Sequence, residues 1–143
     1  MPSGFALGAE CAQQIDQVAL RTRAVQTDFM VAALSCGEKD RYNSFVKKFQ
    51  PQLIRQGKNL QAYFKRAHGQ RGTTELNSLL TKLANLSSSR SIGDRAGFCG
   101  SARERMSEAL LLKSKEFPAF IDRQPFIPVP GVTFCTTEAA KTP

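Results

Sequence analysis

The residues able to do chemistry in this chain are few: four cysteines, a single histidine and one pair of carboxylates at helical spacing. Cys11, Cys36, Cys99 and Cys135 form no CxxC pair. An even number of widely spaced cysteines points to disulfides made in an oxidising compartment rather than to a zinc site. The competing reading for Cys36 and Cys99 is reduced core residues, because free cysteine buries readily. His68 precedes Gly69 and has no second histidine or nearby cysteine. It reads as a cation at a helix C-terminus, where the dipole favours it, and not as a metal ligand. A Cys-His nucleophile would also need a third group to orient the base, and none stands out. Glu104 and Glu108 are an i, i+4 pair, but Arg103 and Arg105 surround them. A solvated charged face suits that pattern better than acid-base work. No Glu-x-x-His, CxxCH, phosphate loop or GxGxxG occurs. No catalytic residue, cofactor or metal is therefore expected, and an enzyme with an unfamiliar site ranks third among the functional readings. Asn85-Leu86-Ser87 fits a glycosylation sequon, a short pattern inside an expected helix.

The electrostatic signal is stronger. The net charge is +8, and between Gly37 and Gln70 eight basic residues face two acidic ones. On a helical wheel Lys47, Lys48, Arg55, Lys58, Lys65 and Arg66 fill an arc of roughly 100° opposite an apolar one. Such a ridge suits phosphates, anionic lipid headgroups or an acidic protein, and charge alone does not choose among them. No aromatic residue interleaves it as a stacking platform, so reading of nucleic-acid sequence is unsupported. A merely solvated helix face is the plain alternative.

The elements that must position these residues follow from periodicity. The 143 residues suit one domain, and 41% hydrophobic with 22% charged residues is ordinary globular composition. No uncharged apolar run reaches the length of a transmembrane helix. Ile15, Val18, Val25, Phe29, Ala32 and Cys36 mark one face of a helix over 14–36, stopped by Gly37. Tyr42, Phe45, Val46 and Phe49 share a wheel arc with Leu53, Leu60, Tyr63 and Phe64. That agreement predicts one helix over 38–68 running through Pro51, with the proline facing solvent. Leu76, Leu79, Leu80, Leu83 and Leu86 predict a third helix over 74–88, ended by the run Ser87-Ser88-Ser89-Arg90-Ser91. Ile92, Ala96, Cys99, Ala102, Met106 and Leu110 predict a fourth over 92–116, closed at Phe117-Pro118. Five of the seven prolines fall from Pro118 onward, so 118–143 reads as an extended strap. Its apolar residues, including Phe120, Phe126, Ile127 and Phe134, should pack on the helices or on a partner.

The expected fold is thus all-α: an antiparallel four-helix bundle over 1–117 with a proline-rich extended C-terminal tail, braced by disulfides. In an up-down-up-down arrangement Cys36 and Cys99 lie at one end on neighbouring helices. Cys11 lies at the other end, where the tail carrying Cys135 begins. Of three possible pairings, the topology selects Cys36 with Cys99 and Cys11 with Cys135.

The run Ala19-Leu20-Arg21-Thr22-Arg23-Ala24-Val25-Gln26-Thr27, then Val31-Ala32-Ala33-Leu34-Ser35-Cys36-Gly37, Tyr42-Asn43-Ser44-Phe45 and Gly97-Phe98-Cys99, resembles uncharacterised exported helical proteins of proteobacteria over residues 15 to 110. The resemblance implies export and a helical fold, and no activity. Met1-Pro2-Ser3-Gly4-Phe5 has neither a basic nor an apolar leader region, so export requires that a signal has already been removed. The leading expectation is a non-enzymatic periplasmic or secreted interaction protein, an accessory subunit of an envelope complex. It would dock on a larger protein or an anionic surface through the basic ridge and the apolar tail. The alternative is an intracellular, cytoplasmic helical module contacting nucleic-acid phosphates, with reduced cysteines.

Overall fold

The computed structural model of the chain describes residues 11–125 and 129–136. These are all-α apart from one isolated parallel bridge between Ala12 and Phe134. Helix α1 spans Gln14–Ser35, α2 Lys39–Lys48, α3 Gln50–His68, α4 Gly72–Gly93, α5 Arg95–Leu111 and α6 Phe117–Arg123; single 3-10 turns at Gly69–Arg71 and Ser114–Glu116 join them.

Helix α1 is the shared wall of the core. Its buried residues include Asp16, Ala19, Leu20, Ala24, Val25, Asp28, Phe29 and Ala32, which lie on more than one side of the cylinder. One cluster joins Val25, Phe29 and Ala32 to Phe45 and Phe49, to Phe98, Ala102 and Met106 of α5, and to Phe117, Phe120 and Ile121 of α6. Phe29 meets Phe45 edge-on with ring centroids 5.0 Å apart, and Phe49 lies 4.8 Å from Phe117. The second cluster joins Ala19, Leu20 and Ala24 to Leu60, Tyr63 and Phe64 of α3, to Leu79 and Leu83 of α4, and to Val129.

Four expectations are corrected. The helix expected over 38–68 is two helices, because the chain turns at Phe49 and Pro51 sits in the first turn of α3. A proline lacks the N–H that an unbroken helix needs and crowds the carbonyl four residues earlier, whereas in a first turn neither cost arises. Phe49 N still donates to Phe45 O at 3.1 Å and Leu53 N to Phe49 O at 2.9 Å, so the apolar arc keeps its phase across the turn. The break lets Phe45 and Phe49 serve one cluster while Leu60, Tyr63 and Phe64 serve the other.

Helix α4 does not stop at its serines. Ser87 and Ser91 are buried and face α1, where Ser87 donates to Asp28 at 2.5 Å and the Ser91 and Ser35 hydroxyls pair at 3.2 Å. Hydroxyls engaged by another helix no longer compete for their own backbone, so the helix continues to Gly93. Helix α5 begins at Arg95 under an Asp94 cap, whose carboxylate accepts from Gly97 N at 3.0 Å, and it ends at Leu111 instead of continuing to 116. Residues expected to start the extended strap form α6, again with a proline, Pro118, in the first turn. Phe117, Phe120 and Ile121 repeat at helical spacing and are buried, and that burial holds so short a helix in place.

After α6 the strap returns to the start of the chain. Ala12 N donates to Thr133 O at 2.8 Å and Cys135 N to Ala12 O at 2.9 Å, while Gln17 Nε2 donates to the carbonyls of Ala12 and Cys135. Phe126 and Ile127, expected tail contacts, lie outside the described residues.

Where α3 turns into α4, Gly72 is buried against backbone. A Cβ built there would lie 2.9 Å from Phe64 O and 3.2 Å from Lys65 Cα. Gly72→Ala is expected to destabilise the fold by about 1–3 kcal/mol, since main chain cannot yield as a side chain does. Urea denaturation of the variant checks it, and an unchanged midpoint would show that the turn opens freely.

Candidate functional site

Five of the six residues expected to form the basic ridge are exposed and Lys48 is half-buried, and the six are not equivalent. Lys47, Arg55, Lys58 and Lys65 are exposed and have no ion-pair partner among the described residues. Lys48 instead sends its Nζ to Leu110 O at 2.7 Å, placing a cation at the C-terminal end of α5, where the helix dipole favours it. Arg66 donates to Asp16 at 2.7 Å, and Asp16 also accepts from Gln13 N at 2.9 Å, so the α1 N-terminus and α3 are tied by one buried carboxylate. At about 100° per residue Lys48 and Arg66 fall at the edge of the ridge arc nearest the packed face, which is why these two reach inward.

The expected tail contacts divide as well. Phe120 is fully buried within α6, and Phe134 is partly buried and packs on the second cluster, with the Arg21 guanidinium 6.0 Å from its ring centre. Phe120 therefore offers no apolar surface to a partner, and Phe134 offers only the part that the second cluster leaves uncovered. His68 is exposed at the end of α3, stacked on Phe64 at 5.5 Å, with Gly69 following at φ 59°. Glu108 pairs with Arg123 at 2.9 Å, whereas Glu104 is exposed.

Both disulfides carry the pairing that the topology selects. Cys36 joins Cys99 with Cα atoms 5.6 Å apart, and Cys11 joins Cys135 with Cα atoms 5.1 Å apart. Two such bonds suit an oxidising compartment. Among the described residues no helix is long and apolar enough to cross a membrane.

A group of charged and hydroxyl side chains apart from the basic residues of α2 and α3 lies between α1, α4 and α5. Asp28 is 1% exposed, and its carboxylate accepts from Ser87 Oγ at 2.5 Å, from Arg90 Nη2 at 2.8 Å and from Arg105 Nη2 at 3.4 Å. Arg105 lies over the Phe29 ring at 5.2 Å and donates from Nε to Ser101 Oγ at 3.2 Å. Its Nη1 is buried with no hydrogen-bond partner among the described residues. A cleft of about 280 Å³ opens beside the cluster, lined by Asp28, Arg90, Asp94, Phe98, Ser101 and Arg105, with Pro125 at its edge.

No family model, curated protein or solved structure matches the chain. Ser87 is spent on Asp28, so the Asn85-Leu86-Ser87 sequon has its hydroxyl buried inside α4. Asp28 left one signal in the sequence: an acid between Val25 and Phe29 on the apolar stripe of α1. Its partners left none, because nothing separates Arg90 and Arg105 from the other arginines until α4 and α5 are packed. The Arg41 and Arg103 guanidiniums, in that order of influence, hold the Glu38 carboxyl below its ordinary range by hydrogen bonds of 2.9 and 2.7 Å. That pair ties the start of α2 to α5 at the end of the molecule where Cys36 meets Cys99.

Proposed function

We propose that this chain is a non-enzymatic periplasmic or secreted interaction protein, an accessory subunit of an envelope complex. It binds the acidic surface of a larger protein through α2 and α3. In this reading α1, the α2–α3 arm, α4 and α5 form the four arms of an antiparallel bundle, and the C-terminal strap fastens its open end. The observation that carries the proposal is the set of exposed side chains Lys47, Arg55, Lys58 and Lys65, which have no counter-charge among the described residues and stand on helices packed into the core. Rigid helices keep such charges in register without a large ordering cost, which favours partner choice and association rate. The buried state of Phe120 and the packing of Phe134 on the second cluster favour the basic face over these two tail residues as the docking surface.

The test is copurification of the oxidised full chain from its native host at low salt, beside a variant carrying Lys47→Glu, Arg55→Glu, Lys58→Glu and Lys65→Glu. An acidic partner is expected with the parent chain, released as salt is raised past the point where exposed charges are screened, and absent with the variant. Because all four side chains are exposed, the variant's unfolding midpoint should move little. Recovery of the same proteins by both chains, or of none by either, would remove the proposal; recovery of nucleic acid would replace it with the phosphate-binding alternative.

A further inference from the structure

We propose that the cleft beside Asp28 is a binding site for a small organic acid, a monocarboxylate with an apolar or aromatic body. Three features of the cleft select that ligand class. The first is charge. Arg90 and Arg105 bring two guanidiniums to one buried carboxylate, leaving one positive charge over. Asp94 also lines the cleft, but its carboxylate caps α5 by accepting from Gly97 N, and the positive end of the helix dipole offsets part of its charge.

The second feature is the balance of donors and acceptors. Asp28 is saturated by Ser87, Arg90 and Arg105, while the buried Nη1 of Arg105 has no acceptor among the described residues. Nη1 has no solvent contact of its own, so the guanidinium turns toward the cleft that it lines to meet an entering acceptor oxygen, and the free energy of the unmade bond is then recovered. Guanidinium groups held in a fixed plane suit carboxylate oxygens in particular. Arg105 is held twice, by the Phe29 ring below it and by Ser101 at Nε, and Arg90 lies 5.9 Å from the centre of the Phe98 ring.

The third feature is the remaining wall. Phe98 and Pro125 present carbon, which an inorganic anion cannot use and an aromatic or aliphatic acid can. A volume of about 280 Å³ lies just below the usual range of drug-sized pockets, so the fitting ligand is fragment-sized.

Benzoate is the probe, titrated into the uniformly 15N-labelled, oxidised full chain and followed by amide chemical shifts. Acetate, inorganic phosphate and neutral benzamide are run alongside. Saturable shifts are expected at Arg90, Phe98, Ser101 and Arg105, with a dissociation constant on the order of 1 mM or tighter. Acetate should bind more weakly because it lacks the ring, and benzamide at least about tenfold more weakly because it lacks the charge. Arg90→Gln should weaken benzoate about tenfold or more; Arg90 is 43% exposed, so this variant keeps Asp28 paired with Arg105 and Ser87. Four outcomes would overturn the site: no saturable shift through the millimolar range, phosphate binding tighter than benzoate, an equal response to benzamide, or shifts confined to Arg55, Lys58 and Lys65. The last would assign the anion to the basic face instead.

Discussion

Asp28→Ala is expected to lower the stability of the fold by about 3–5 kcal/mol, the usual cost of breaking a buried ion pair from one side. The reason lies in what is left behind. Removing the carboxylate strands the guanidinium of Arg105, whose side chain is only 15% exposed, against the Phe29 ring, and removes the acceptor of the buried Ser87 hydroxyl. Arg90 loses less, because at 43% exposure it can turn to water. Domains of this kind are stable by about 5–15 kcal/mol in all, so the loss should appear as a large fall in the urea midpoint. Arg90→Ala should cost clearly less than Asp28→Ala. A loss below about 1 kcal/mol for Asp28→Ala would mean that both guanidiniums find solvent and that the triad does not hold α1, α4 and α5 together.

Reduction of the two disulfides should have a comparable effect. In the chain-entropy account a cross-link stabilises by restricting the unfolded chain, by typically about 2–4 kcal/mol and more for long loops. Cys11–Cys135 closes a separation of 124 residues and Cys36–Cys99 one of 63. Doubling the loop is worth only about 0.6 kcal/mol, so the two bonds should contribute similarly by entropy. Their structural consequences differ. Cys36–Cys99 joins α1 to α5 beside the first core cluster, so Cys36→Ala with Cys99→Ala should lower cooperative unfolding of the whole chain. Cys11→Ser with Cys135→Ser should also expose the amides at positions 12 and 135, which donate to Thr133 O and Ala12 O beside the bond, to early hydrogen exchange. Thermal unfolding with and without reductant checks the sum, with a fall in Tm on the order of 15–25 °C expected. An unchanged Tm on full reduction would mean that the helices stand without their staples and would remove the main support for an oxidising compartment.

Much of the architecture was legible in the residues. Helix α1 declared itself through a long apolar period ended by Gly37, which takes φ 72° after the helix, and the cysteine pairing followed from which helix ends must be neighbours. Those are local and topological constraints, and a single sequence carries them. Pro51, Pro118 and the serine run differ, because each has two local meanings. A proline inside a helix bends it, and a proline in a first turn is welcome there. A serine competes for its own backbone unless another helix claims the hydroxyl. Only packing decides between such meanings, through Phe49 and Phe117 in the first cluster and Ser87 against Asp28.

The same division governs the two surfaces. By its own amino acids the chain determined an all-α fold, the choice of bonded cysteines and a basic face on α2 and α3, because helical periodicity acts through near neighbours. Tertiary structure decided that Lys48 and Arg66 are structural members of that face, that the described part of the apolar strap is consumed internally, and that Asp28, Arg90 and Arg105 meet beside a cleft. Ion pairs such as those of Asp28, across 62 and 77 positions of sequence, have no local signature. They exist only where three helices bring charges close in a place that water reaches poorly.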